Sequence, residues 1–195
     1  MGAKQRLETR VVAGALKGRV LVYPRDPSLR PTMQRTKTSV FDSLRDRIQN
    51  GVFVDLYAAA GGMGIEALSR GAARVHFVEA NGEAVRCLRE NLAGCGIGPD
   101  RAAVHHAAVM EFLLSGALRS IDPDVTYADP PYDTEETRLL LEFFSSVEYP
   151  LKTLLLFEHR KDVLSMDGFD GLVSLKTRDF GQSRVSYVVL KGDGP

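Results

Sequence analysis

The chain has 195 residues, 44% of them hydrophobic, which suffices for one domain with its own core. No apolar run approaches the roughly 18–20 residues of a membrane helix. The start, MGAKQRLETR, lacks both the apolar stretch of a secretory leader and the Ser/Thr of a myristoylation signal. Two cysteines, Cys87 and Cys95, form no CxxC pair, and no His/Cys cluster has zinc spacing. A reduced, cytoplasmic protein without a metal is expected. The 25 basic and 25 acidic residues cancel but are unevenly placed. Residues 1–40 hold nine Lys/Arg against Glu8 and Asp26, a net of +7. A basic head on an acidic body points to a polyanionic partner near the N-terminus, or to a merely solvated basic segment.

Two β-like runs around Gly14–Gly18 predict a hairpin over residues 10–22. The Pro-rich PRDPSLRPT follows. Thr32 is placed as a helix N-cap, and Val40, Phe41, Leu44 and Ile48 form the apolar stripe of one helix closed by Asn50–Gly51. From Val52 strands and helices alternate: strand 52–57, helix GIEALSRG, strand 73–80, helix EAVRCLRENLAGCG, strand AAVHHAA, helix VMEFLLSG. Strand 124–132 is then broken by Pro-Pro, and helix EETRLLLEFF, strand TLLLFEH and a terminal hairpin of VSLKTRDFG and SRVSYVVLK complete the chain. This order predicts a doubly wound α/β sheet. The predicted units are residues 1–50, a basic hairpin and helix, and residues 51–195, a Rossmann-like domain.

VDLYAAAGGMGIEA lies between a strand and a helix, the setting of a nucleotide-binding turn. Gly61, Gly62 and Gly64 allow close backbone approach to a ligand, or serve packing alone. Glu79 closes the next strand, where a carboxylate can bind ribose hydroxyls. A dinucleotide turn has GxGxxG, but its first position here is Ala59. Asp55 precedes the turn and suits a cationic sulfonium or ammonium better than a pyrophosphate. The sharpest signal is Asp129-Pro130-Pro131-Tyr132 at the tip of a strand. Two prolines fix the backbone and remove two amide donors. The Asp129 carboxylate and Pro130 carbonyl remain as stiff acceptors that can hold both N–H groups of a base and aim its nitrogen lone pair. Tyr132 offers a face on which a base could stack.

These residues resemble the class I methyltransferases, and within them the RsmD-type 16S rRNA guanine-N2 methyltransferases. RVVAGALKGRVL is similar to that family's N-terminal hairpin, and LRPT with QRTKTSVFDSL to its signature helix. DLYAAAGGMGIEALSRGA is similar to its cofactor motif, DPPY to its catalytic motif and FGQSRVSYVVL to its closing hairpin. The resemblance implies a seven-stranded, mostly parallel sheet ending in an antiparallel hairpin. It implies S-adenosyl-L-methionine held by Asp55, Tyr57, Ala58, Ala59, Gly61, Gly64, Glu79, Ala80, Ala108, Val109 and Thr32. Catalysis would lie at Asp129, Pro130, Pro131 and Tyr132. Arg10, Lys17, Arg19, Arg30 and Arg35 would approach RNA or cover the cofactor. The implied substrate is a guanine of 16S rRNA, position 966 in standard numbering, within a small-subunit assembly particle, and the implied state is a monomer. The chain departs from the family at Ala59, usually Gly, and near Ala107–Ala108, where a polar Asp or Asn would meet the adenine amino group; weaker cofactor binding is the expectation.

His76 reads as a satisfied core histidine, His159 and Arg160 as either edge-of-site or surface residues, Phe180-Gly181 as a turn, and Cys87 and Cys95 as packing residues. Other readings are amino methylation of DNA adenine or cytosine or of a protein glutamine, NAD-dependent oxidoreduction, and a catalytically silent RNA-binding module.

Overall fold

The structure, a computed structural model, describes residues 7–25, 32–131, 135–146, 152–161 and 169–190. Short strands β1 (Glu8–Arg10) and β2 (Val20–Val22) pair antiparallel. The hairpin is therefore shorter in its strands than residues 10–22 suggested, and a tight loop fills 11–19. Helix α1 (Gln34–Ser43) and the single turn α2 (Arg45–Ile48) follow. Thr32 is not the cap: Met33 holds that position, with no side-chain cap bond. The expected single helix is broken at Leu44. The Ser43 hydroxyl lies 2.7 Å from the Val40 carbonyl and 2.8 Å from the Tyr187 hydroxyl, which competes with continued helix.

The remainder is β3 (Val52–Leu56), α3 (Gly62–Ser69), β4 (Arg74–Glu79), α4 (Gly82–Gly94), β5 (Ala102–His106), α5 (Val109–Leu114), α6 (Ala117–Ile121), β6 (Val125–Ala128), α7 (Glu135–Ser145), β7 (Leu154–Arg160), β8 (Leu172–Phe180) and β9 (Ser183–Leu190). The sheet order is β5-β4-β3-β6-β7-β9-β8. Five strands run parallel; β9 is antiparallel to β7 and β8 to β9. Chain order reverses between β3 and β6, and this switch point, at the carboxyl ends of the strands, is where such sheets bind ligands. Helix α6 carried no separate sequence signal.

Alternation along β3 sends Phe53 to one face and Val54 and Leu56 to the other. The first face packs under α1 to α4, and the second under α5 to α7 with Phe112, Leu140, Phe144 and Phe157. The hairpin shares the first core through Val11, Leu21 and Tyr23. It is fastened to α3 by buried polar groups. Both oxygens of Glu66, which is fully buried, accept backbone amides: Val12 N at 2.7 Å and Ala13 N at 3.0 Å. Ser69 takes Leu16 N at 2.9 Å on its hydroxyl and Ala15 N at 2.8 Å on its carbonyl. Gly14 comes so close that an added Cβ would sit 1.8 Å from the Ser69 carbonyl oxygen. From α4, Asn91 accepts from Val22 N and donates to the carbonyls of Val22 and Ala60, each at 2.9 Å, tying hairpin to glycine-rich turn.

Candidate active site

The turn after β3 is built by two carboxylates. Asp55, 2% exposed, accepts the Gly64 amide at 2.8 Å and so caps the start of α3 from below. Glu79, at the tip of β4, accepts Ala59 N at 2.8 Å and Asn81 N at 2.7 Å. The Glu79 carboxylate therefore fixes the turn's shape whatever else it binds. Tyr57 (φ 60°) and Ala59 (φ 47°) adopt left-handed backbone that L-residues rarely take, and Gly61 (φ 85°) ends the turn. Ala59 packs half-buried against the first core. Added Cβ atoms at Gly61, Gly62 and Gly64 would meet Leu88 Cδ1 at 2.3 Å, the Tyr23 hydroxyl at 2.3 Å and Phe77 Cε1 at 2.2 Å. All three glycines are thus demanded by packing of the turn onto the core.

Sequence reading missed the groups that close this turn from above. Tyr23, 2% exposed, hydrogen-bonds the Gly62 amide through its hydroxyl. Lys37 is fully buried, its Nζ 3.5 Å from Thr9 Oγ1 and from the Arg10 carbonyl. Burial lowers its proton affinity, while Glu66 and Asp55 oppose that shift. Its signal was legible: Lys37 falls on the stripe of Val40, Phe41 and Leu44, with helical spacing. Burial pushes the Asp55 carboxyl up to about 7; the Gly64 amide opposes this, Glu79 adds to it and Lys37 lowers it.

Asp129 follows β6 directly, partly exposed, with Pro130 buried and Pro131 exposed. The Thr137 hydroxyl of α7 donates to the Pro131 carbonyl at 3.0 Å and pins the corner. Burial, then Glu158, then Asp55 raise the Asp129 carboxyl well above the usual carboxylate range. Glu158 near the end of β7, 6% exposed, is a third residue that sequence reading passed over, although it closes an apolar strand just before His159. Tyr127 donates to its Oε2 at 2.5 Å. The structure thus gathers Asp55, Asp129 and Glu158, from three neighbouring strands of one sheet, next to Glu79. Tyr57 reaches the same end of the sheet and donates to Glu136 Oε1 at 3.2 Å.

Other expected residues fall as follows. Ala58 and Val109 are buried, Val109 in the second core; Ala80 is exposed and Thr32 partly so. Ala108 caps α5 with its carbonyl, and Ala107 N bonds the Glu79 carbonyl at 3.2 Å. Near them His106 Nε2 lies 3.1 Å from the Ala80 carbonyl, a polar group beside the position where Asp or Asn was expected. Arg10, Lys17, Arg19 and Arg35 are exposed, and Arg10 donates to the Gly18 carbonyl. Tyr132 and Arg30 lie outside the described residues. His76 is only half-buried; its Nδ1 is 3.1 Å from His105 Nε2 and the rings stack at 5.3 Å. His159 is buried, held by Ser186 Oγ at 2.9 Å and the Arg160 carbonyl at 2.8 Å. Cys87 and Cys95 are buried. Among the described residues, no group of three or more His, Cys, Asp or Glu could hold a metal ion, and no helix is long and apolar enough to cross a membrane.

Residues 9–189 match the family described as Conserved hypothetical protein 95. The chain is 34% identical over 138 residues to Ribosomal RNA small subunit methyltransferase D of Escherichia coli K12, covering 69% of this chain and 67% of that one. YlbH of Bacillus subtilis strain 168 is 29% identical over 186 residues, 94% of this chain and all of that one. Among solved structures, the hypothetical protein TTHA0928 of a Thermus strain superposes with a TM-score of 0.75 at 28% identity, covering 92% of this chain and 98% of that chain. SMU.776, complexed with SAH, superposes with a TM-score of 0.71 at 9% identity, 96% of this chain on 57% of that one, and shares the fold. The chain belongs to the Conserved hypothetical protein 95 family, the RsmD-type branch of the class I methyltransferase fold.

Proposed function

We propose that this protein transfers a methyl group from S-adenosylmethionine to the exocyclic N2 amino group of a guanine in small-subunit rRNA. The observation that carries this reading is the meeting of the Asp55 and Glu79 carboxylates at the glycine-rich turn, at the switch point of the sheet, beside the separate acceptor corner at Asp129. Closely spaced carboxylates repel a pyrophosphate and attract a cation, so the donor set fits a sulfonium–ammonium ligand and argues against NAD. When bound, that ligand supplies an electrophilic methyl on a cationic sulfur. Glu79 holds the Ala59 turn in the shape that would receive it, and Asp55 fixes the start of α3.

Asp129 and the Pro130 carbonyl form the acceptor corner. They accept the two N–H groups of the base and turn its nitrogen toward the methyl carbon. The two prolines keep the corner stiff, and Tyr132 stacks the base. The exposed Arg10, Lys17, Arg19 and Arg35 supply phosphate contacts. The named relative from Escherichia coli supports a small-subunit rRNA substrate. The finer reading is guanine 966, methylated within an assembly particle by a monomer in the cytoplasm.

The test is transfer of labelled methyl to small-subunit particles from cells lacking this protein, followed by digestion of the RNA. Label in N2-methylguanine at one site is expected. Label in another base, or in protein or DNA when those compete, would overturn the reading.

A further inference from the structure

Glu158 is a buried carboxylate to which the proposed reaction gives no task. It leaves β7 beside the exit of β6: Ala128 pairs with Phe157, so Asp129 and Glu158 emerge side by side from adjacent parallel strands. Both lie on the face of Tyr127, since side chains alternate along a strand and Tyr127 reaches Glu158 Oε2. Among the described residues, several neighbouring elements present groups to this pair or to Asp55 beside it. From β6 comes the Tyr127 hydroxyl, from β9 the Ser183 hydroxyl, and from β3 the Asp55 carboxylate. From the hairpin Tyr23 faces Asp129, and from α1 Lys37 faces Asp55. The one cation among these acts on Asp55. Among the described residues, the donors that act on the Asp129–Glu158 pair are hydroxyls on the Glu158 side.

We propose that Glu158 is a positioning residue for methyl transfer: held by Tyr127, it competes with Asp129 for one proton and so sets the pH at which Asp129 becomes an ionised acceptor for the base amino group. Two carboxylates this close do not both ionise freely, and they titrate as a pair. The Tyr127 and Ser183 hydroxyls favour the charged form of Glu158, which places the remaining proton on Asp129. Burial raises both groups, and the Glu158 and Asp55 charges raise Asp129 further, so the shared proton persists above the ordinary carboxylate range. The inference rests on the amino-methylation reading of the Asp129 corner.

The experiment is single-turnover transfer to small-subunit particles from cells lacking this protein, as a function of pH, at saturating S-adenosylmethionine. Wild type, Glu158→Gln, Tyr127→Phe and Asp129→Ala are compared. The wild-type rate is expected to rise with pH along an acid limb. Glu158→Gln removes the competing charge, Asp129 ionises more readily, and the limb moves to lower pH by about one unit or more. Tyr127→Phe lets Glu158 keep the proton and moves the limb the same way, which decides the matter if Glu158→Gln does not fold. The Kd for S-adenosylmethionine, measured separately by calorimetry, should stay within about twofold, as a change of charge at the acceptor rather than at the donor requires. A flat wild-type profile, or superimposed limbs in both variants while Asp129→Ala is inactive, would overturn the inference. Full activity of Asp129→Ala would instead overturn the reading of the corner itself.

Discussion

Glu66→Ala probes how the N-terminal hairpin is held. The side chain is fully buried and accepts from Val12 N at 2.7 Å, Ala13 N at 3.0 Å and Arg70 Nε at 2.8 Å. Arg70 in turn binds Asp42 at 3.1 Å and lies 5.3 Å over the Phe41 ring. Alanine orphans two backbone donors and leaves a guanidinium with one exposed partner. An unsatisfied buried donor costs about 1–3 kcal/mol. Val12 and Ala13 are only half-buried, so water recovers part of this, and about 3–5 kcal/mol in total is expected. Glu66→Gln keeps the shape and one acceptor oxygen, but its amide group meets a donor; about 1–2 kcal/mol is expected. Urea unfolding of both variants, read as midpoint and slope, measures the difference. Equal losses in the two variants, or losses below about 0.5 kcal/mol, would refute the docking argument.

Gly64→Ala places a methyl 2.2 Å from Phe77 Cε1 and 2.8 Å from Val75 Cγ1, and thermal unfolding should register about 1–3 kcal/mol of overpacking. Ala59→Gly relaxes a left-handed backbone at φ 47°; gained strain relief and lost chain stiffness, each about 1 kcal/mol, should nearly cancel in stability. On the proposed reading, with the cofactor over this turn, its calorimetric affinity for S-adenosylmethionine should nonetheless rise. Burial, then His105, then Arg74 push His76 down to about 4 from 6.5. The folded state therefore resists a proton that the unfolded chain accepts: this stabilisation is full above about 6.5 and is lost as pH falls toward 4. Unfolding of His76→Gln across that window should depend less on pH than wild type.

Strands such as 52–56, 125–128 and 154–160 were legible because buried parallel strands are continuous apolar runs, and Asp129-Pro130-Pro131 because two prolines at a strand tip have few structural uses. The turn's position was legible too, but the role of its glycines divides differently. Leu88, Tyr23 and Phe77 fill the space their missing side chains leave. What escaped was polar and long-range. Glu66 reads as a surface residue of a short helix until the hairpin's amides, more than fifty residues away, are brought onto it. Lys37 looks solvated by type, and only its register with Val40 and Phe41 betrays burial. Thr32 has the chemistry of a cap, yet the helix starts beyond it at Gln34. Glu158 needed the register of β6 with β7 to be seen beside Asp129.

In the proposed reaction the acceptor corner and the cofactor turn act as separate parts of one active centre. Calorimetric titration of S-adenosylmethionine into wild type, Glu79→Ala and Asp129→Ala, paired with methyl transfer to small-subunit particles, tests it most directly. Asp129→Ala should bind the cofactor within a few-fold of wild type and lose transfer by about 100-fold or more, while Glu79→Ala should lose cofactor affinity by about tenfold or more. Near-normal transfer by Asp129→Ala, or undiminished binding by Glu79→Ala, would contradict it.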